Sequence, residues 1–189
     1  MTLGWKQRVE AAYSEPHRHY HTLAHIEHMF QEAARFQPLA PPVEWAIWFH
    51  DFVYDPRSAT NEEDSAHVAR LALSEMGESE AITERTAELI LATKHGSPVS
   101  QDGGDARLLV SLDLAILAAE PARYAEYVAQ VRAEYAHVPE EKFRAGRTAF
   151  MRRFLEQDVI FPYPGFEGHE ARARANIERE ISGASPEFA

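Results

Sequence analysis

The chain has 189 residues, 19 Lys and Arg against 30 Asp and Glu, a formal net charge of −11 and no cysteine. That length suits one domain, a hydrophobic content of 45% is enough for a buried core, and the absence of cysteine excludes disulfides, thiolate-bound zinc, iron–sulfur clusters and thiol nucleophiles together. Net acidity argues against duplex nucleic acid as a partner. No apolar stretch reaches the length of a membrane span, and the polar start Met1-Thr-Leu-Gly-Trp-Lys holds no signal-peptide core, so a cytoplasmic location without membrane contact is expected.

Helical periodicity dominates the chain. A first amphipathic segment, 3–14, is stopped by Glu15-Pro16, and a second covers 22–36. Pro41-Pro42 starts a third over 43–53, apolar nearly all round and therefore central. Asn61 is the expected cap of a fourth that ends at Gly77, and Ser79 caps a fifth reaching Lys94-His95. A surface loop over 97–105 leads to a sixth helix at 105–119. Pro121 and Pro139 open two more, ending near His137 and Gln157. An apolar loop at 160–165 precedes a last helix over 167–182, and 183–189 reads as a flexible tail. No segment has a strand period, so the prediction is an all-α single-domain bundle.

Histidine is over-represented: ten residues in all, five of them between His17 and His28. His21 and His25 are four apart, about 40° around a helix, and can share a metal or divide metal and substrate between them. The zincin pattern His-Glu-x-x-His fails here because Thr22 stands where its general base belongs. A di-iron bundle needs two Glu-x-x-His motifs; there is one, Glu134-Tyr-Ala-His137, on a segment where Tyr127 and Val131 indicate ordinary packing. The doublet His50-Asp51 in the most apolar helix, and Asp113 within Val-Ser-Leu-Asp-Leu-Ala-Ile-Leu, are costly to bury singly. Converging them with His25 and His50 on one divalent ion removes both penalties.

The ordered set His25, His50-Asp51, Asp113 resembles the HD-domain metal-dependent phosphohydrolases, and similarity to a bacterial group of such predicted hydrolases extends over most of the chain, including Asp55-Pro56, Asn61-Glu-Glu63, Thr93-Lys-His95, Ala171-Arg172 and Asn176. Tyr20-His21-Thr-Leu-Ala-His25 also looks like the Tyr-His-Asn-x-x-His segment of cyclic-nucleotide phosphodiesterases, with Thr22 in place of Asn. The resemblance implies an HD-type bundle with His25, His50, Asp51 and Asp113 as ligands of Mn²⁺, Fe²⁺, Co²⁺, Ni²⁺ or Mg²⁺. It further implies that His21 protonates a leaving oxygen and Asp51 takes a proton from water. Arg18, Lys94 and His95 are the expected contacts for phosphate, and the expected substrate is a nucleotide or similar small phosphorylated metabolite. A homodimer is compatible with this reading. A di-iron oxygenase using His67 and His95 as extra ligands, and a catalytically silent nucleotide-binding module, are the alternatives.

Overall fold

The computed structural model describes residues 1–94 and 104–183. Nine α-helices, and no strand, occur among them: α1 Leu3–Ala12, α2 Leu23–Ala33, α3 Pro41–Phe49, α4 Asn61–Glu75, α5 Glu80–Ala92, α6 Gly104–Asp113, α7 Pro121–Glu134, α8 Glu140–Leu155 and α9 Glu167–Ser182. Short 3-10 helices continue α2 (Ala34–Phe36) and α6 (Leu114–Ala118). The protein is all-α, and none of these helices is long and apolar enough to cross a membrane.

The punctuation works largely as the sequence implies. Ser79 Oγ accepts a hydrogen bond from the Ile82 amide at the start of α5. Pro121 sits in the first turn of α7, where its missing N–H costs nothing. Gly77 and Gly183, with φ of +80° and +70°, end α4 and α9 in the left-handed region that a side chain would disfavour. Asn61 departs from expectation. Thr60 holds the cap position, while the Asn61 side chain turns back to the Asp55 N–H and C=O and closes the 55–61 loop.

Helix α3 lies at the centre, touching α2, α4, α5 and α6, with Val43, Ala46, Ile47 and Phe49 fully buried. It is shorter than the predicted 43–53. The chain leaves helical hydrogen bonding after His50 because groups that a longer helix would pair internally are taken elsewhere: the Ile47 carbonyl lies 3.1 Å from His50 Nδ1 and the Val53 N–H donates to Ser65 Oγ at 3.0 Å. Past the helix end the buried Arg18 guanidinium takes the carbonyls of Asp51 (2.7 Å) and Phe52 (2.9 Å). Tyr13 Oη donates to the Trp48 carbonyl beside it. The segment predicted as one helix over 105–119 likewise tightens to 3-10 geometry immediately after Asp113.

The last helix docks through a buried polar bond. Asn176 Nδ2 donates to the carbonyls of Leu117 (2.9 Å) and Ala119 (2.8 Å), satisfying the end of the 3-10 helix that follows Asp113. Arg172, on the same helix, is exposed and meets Glu120 at the surface. Asn176→Leu is expected to lower unfolding free energy by about 2 kcal/mol, since it strands the buried Leu117 carbonyl and the half-buried Ala119 carbonyl, whereas Arg172→Ala changes it by under about 0.5 kcal/mol; urea denaturation checks both.

Candidate metal centre

Each ligand candidate sits at a helix end. His25 lies in the first turn of α2, His50 caps the C-terminus of α3, Asp51 follows in the turn, and Asp113 is the last residue of α6. The ends converge. His25 Nε2 is 3.1 Å from His50 Nε2 and 3.1 Å from an Asp113 carboxylate oxygen, and His50 Nε2 is 3.0 Å from an Asp51 oxygen. The crossed pairs, His25 to Asp51 and His50 to Asp113, are both 3.8 Å apart.

The donor set fits a divalent cation. Ligands held at about 2.1 Å from a metal and at right angles to each other are separated by about 3 Å, which is the spacing of the three near pairs. His25, His50 and Asp51 form the group whose ligand atoms all lie within 4.8 Å of one another. Both imidazoles are oriented from behind: His50 Nδ1 lies 3.1 Å from the Ile47 carbonyl, and His25 Nδ1 lies 3.1 Å from Tyr20 Oη. A carbonyl only accepts, so His50 Nδ1 carries the proton and its Nε2 is free to present a lone pair.

The electrostatics point the same way. Burial disfavours a charged His50, but the Asp51 charge and hydrogen bond, with Asp113 behind them, overcome it and raise its pKa to about 9. Burial would raise the Asp51 pKa, yet His50 above all holds it well below the usual carboxylate range. For His25 burial prevails over Asp113 and lowers the pKa. The carboxylates thus demand positive charge at one point, and a metal ion would supply it there.

The imidazole side chains of His25 and His50 are 0% and 1% exposed, whereas the carboxylates of Asp51 and Asp113 are 19% and 16% exposed. The carboxylates open onto a cleft of about 620 Å³ that His21, Tyr54 and Lys94 also line.

His21 is not on the helix with His25, as the four-residue spacing suggested; α2 begins at Leu23. Glu134, at the end of α7, brings it in instead. One Glu134 oxygen accepts the backbone N–H groups of His19 (2.8 Å), Tyr20 (2.8 Å) and His21 (3.0 Å). The other accepts the Tyr54 hydroxyl at 2.8 Å and lies 2.7 Å from His21 Nδ1. The His21 ring stacks on Tyr54, with centroids 4.1 Å apart. Burial works against charge on both partners. For His21 it is outweighed by the Glu134 hydrogen bond and the nearby carboxylates, which raise the pKa; for Glu134 the His21 hydrogen bond and charge, with the backbone donors, lower it to about 2. Sequence reasoning treated Glu134 as packing. Its signal was available: it continues the Tyr127, Val131 series on the buried face of α7, where a carboxylate needs partners.

The phosphate contacts need correction at Arg18. Its side chain is 0% exposed and its guanidinium is spent on Glu15 and on the carbonyls of His21, Asp51 and Phe52, so it shapes the turn that carries Asp51 and cannot reach a substrate. Lys94 lines the cleft, but its ammonium is bonded to the Glu63 carboxylate and the Ala59 carbonyl. His95 lies outside the described residues, as does the tail over 184–189. His67, an alternative second-metal ligand, is exposed on α4. No protein-family model matches the chain, and no curated protein and no solved structure matches it either.

Two outcomes are expected. Elemental analysis of protein purified without chelator should find a divalent metal, and His50→Ala or Asp51→Ala should abolish it, because each removes a ligand and leaves its partners uncompensated. For Glu134, a folded pKa of about 2 below the ordinary 4.5 means stabilisation that is complete above pH 4.5 and lost as pH falls toward 2. Glu134→Gln should therefore cost about 3 kcal/mol at pH 7 in chemical denaturation, with the gap to the unsubstituted protein closing through that window.

Proposed function

We propose that the protein is a metal-dependent phosphohydrolase that cleaves the phosphate ester of a small phosphorylated metabolite, a class that includes nucleotides, as the HD-domain resemblance implies. The observation that carries this reading is the convergence of His25, His50, Asp51 and Asp113 beside a cleft that the two carboxylates and a hydrogen-bonded imidazole, His21, line. A divalent ion held by those four side chains supplies charge compensation for phosphoryl oxygens and lowers the pKa of water toward neutrality.

The protein's own groups then divide the proton transfers. Water adds to phosphorus as the ester P–O bond breaks. Asp51, ionised at neutral pH and open to the cleft, accepts the proton that the water loses. His21 delivers a proton to the departing alkoxide, so the alcohol leaves neutral. Glu134 favours the protonated form of His21 and holds its Nδ1, which leaves Nε2 as the donating atom. Tyr54 keeps the ring from turning away by stacking on it and sharing the same carboxylate oxygen.

The reading is tested by phosphate release from nucleoside mono-, di- and triphosphates and from simple alkyl and aryl phosphates, with and without Mn²⁺. Metal-dependent release is expected, and its absence across the panel would remove the hydrolase assignment. His21→Ala should keep its metal and lose about 10²–10⁴-fold in rate, most for esters with poor leaving groups. Loss of metal in that variant would show the imidazole to be a ligand.

A further inference from the structure

The cleft beside the carboxylates has an unusual lining for an enzyme acting on polar metabolites. From Asp113 onward its wall is built by the 3-10 helix, by α7, by the turn after it and by the start of α8, and the side chains presented include Leu117, Val131, Val138 and Phe143. Within that wall the Arg147 guanidinium lies over the Tyr127 ring, 5.0 Å from its centroid, and is itself held by Glu180.

Several polar side chains on the remaining lining are committed to the chain itself. Asn61 gives its oxygen and its amide to Asp55, Thr93 Oγ1 donates to the Ile90 carbonyl, Ser58 Oγ pairs with Thr60, and Lys94 is held by Glu63 and Ala59. Lys142, exposed on the first turn of α8, has no ion pair among the described residues and suits phosphoryl charge. A base edge or a sugar placed against Leu117, Val131, Val138 and Phe143 would give up hydrogen bonds to water, at about 1–3 kcal/mol for each group left unpaired. An alkyl or aryl group placed there would give up none and would gain from apolar burial.

We infer that the ester cleaved at this centre carries an apolar organic group, alkyl or aryl, seated against the wall formed by the 3-10 helix after Asp113, α7 and α8. The inference rests on the phosphohydrolase reading for the position of the phosphate and narrows its substrate away from nucleosides. Val131 and Val138 then act as specificity determinants, because they meet the organic group and not the phosphate.

Isothermal titration of Mn²⁺-loaded protein with methyl-, butyl- and hexylphosphonate and with AMP tests this without requiring turnover. Each added methylene should tighten binding by about threefold, the effect of burying most of a CH₂ group, and hexylphosphonate should bind at least about tenfold more tightly than AMP. Val131→Thr and Val138→Thr, which keep shape and add a hydroxyl, should each lower the hexyl-to-methyl affinity ratio by about threefold or more; the second lies in a turn, so it checks the result should the first disturb α7. Equal affinities along the series, tighter binding of AMP, or no phosphonate binding would each overturn the inference. Phosphate release separates the two readings: turnover of AMP with a flat phosphonate series overturns the apolar substrate and keeps the hydrolase, and a steep series without release from hexyl phosphate does the reverse.

Discussion

Asp51 and Asp113 carry negative charge into the wall of an otherwise apolar helical bundle, and the free energy of holding it there governs what surrounds them. Carboxylates so placed either protonate or find a cation. Here two imidazole nitrogens stand about 3 Å from their oxygens and from each other, a clustering that neutral packing does not favour. Without an ion, His50 is driven to hold a proton in its place. With an ion, both imidazoles return to neutral ligands and the charges balance at one point.

The rest of the architecture is arranged around bringing helix ends, not helix faces, to that point. An end offers what a face does not: backbone groups outside the internal ladder that a side chain elsewhere can capture. Arg18 captures the carbonyls that follow α3 and so sets the direction of Asp51. Glu134 captures three consecutive amides before α2 and so sets the direction of His21. These two buried residues carry opposite charge, and each gives much of its hydrogen-bonding capacity to backbone.

The cleft adds a second constraint. Its floor is charged while much of its wall is apolar, and the boundary between them falls at Asp113, where α-helix gives way to 3-10 helix. Asp113, the last α-helical residue, stands 3.1 Å from His25, and Leu117 lies on the apolar wall within the 3-10 helix that follows. Asn176 secures the far end of the same short helix, so the last helix of the chain supports the site from behind without touching it.

Helix content, most boundaries and the four converging residues were legible in the amino-acid sequence, because periodicity, prolines, cap residues and isolated acids in apolar segments are local signals. The spacing of His21 and His25 misled for the same reason: a four-residue step implies a shared helix face only if the helix includes both, and the amides ahead of α2 are bonded to a carboxylate more than a hundred positions away. Arg18 was an expected phosphate contact because nothing near it in sequence reveals the carbonyls of Asp51 and Phe52 that take its guanidinium. Glu134 looked like packing because its partners come from two other segments. Local sequence determined which groups had to be neutralised; only the tertiary structure decided which distant groups neutralise them, since a buried charge is satisfied by proximity in space.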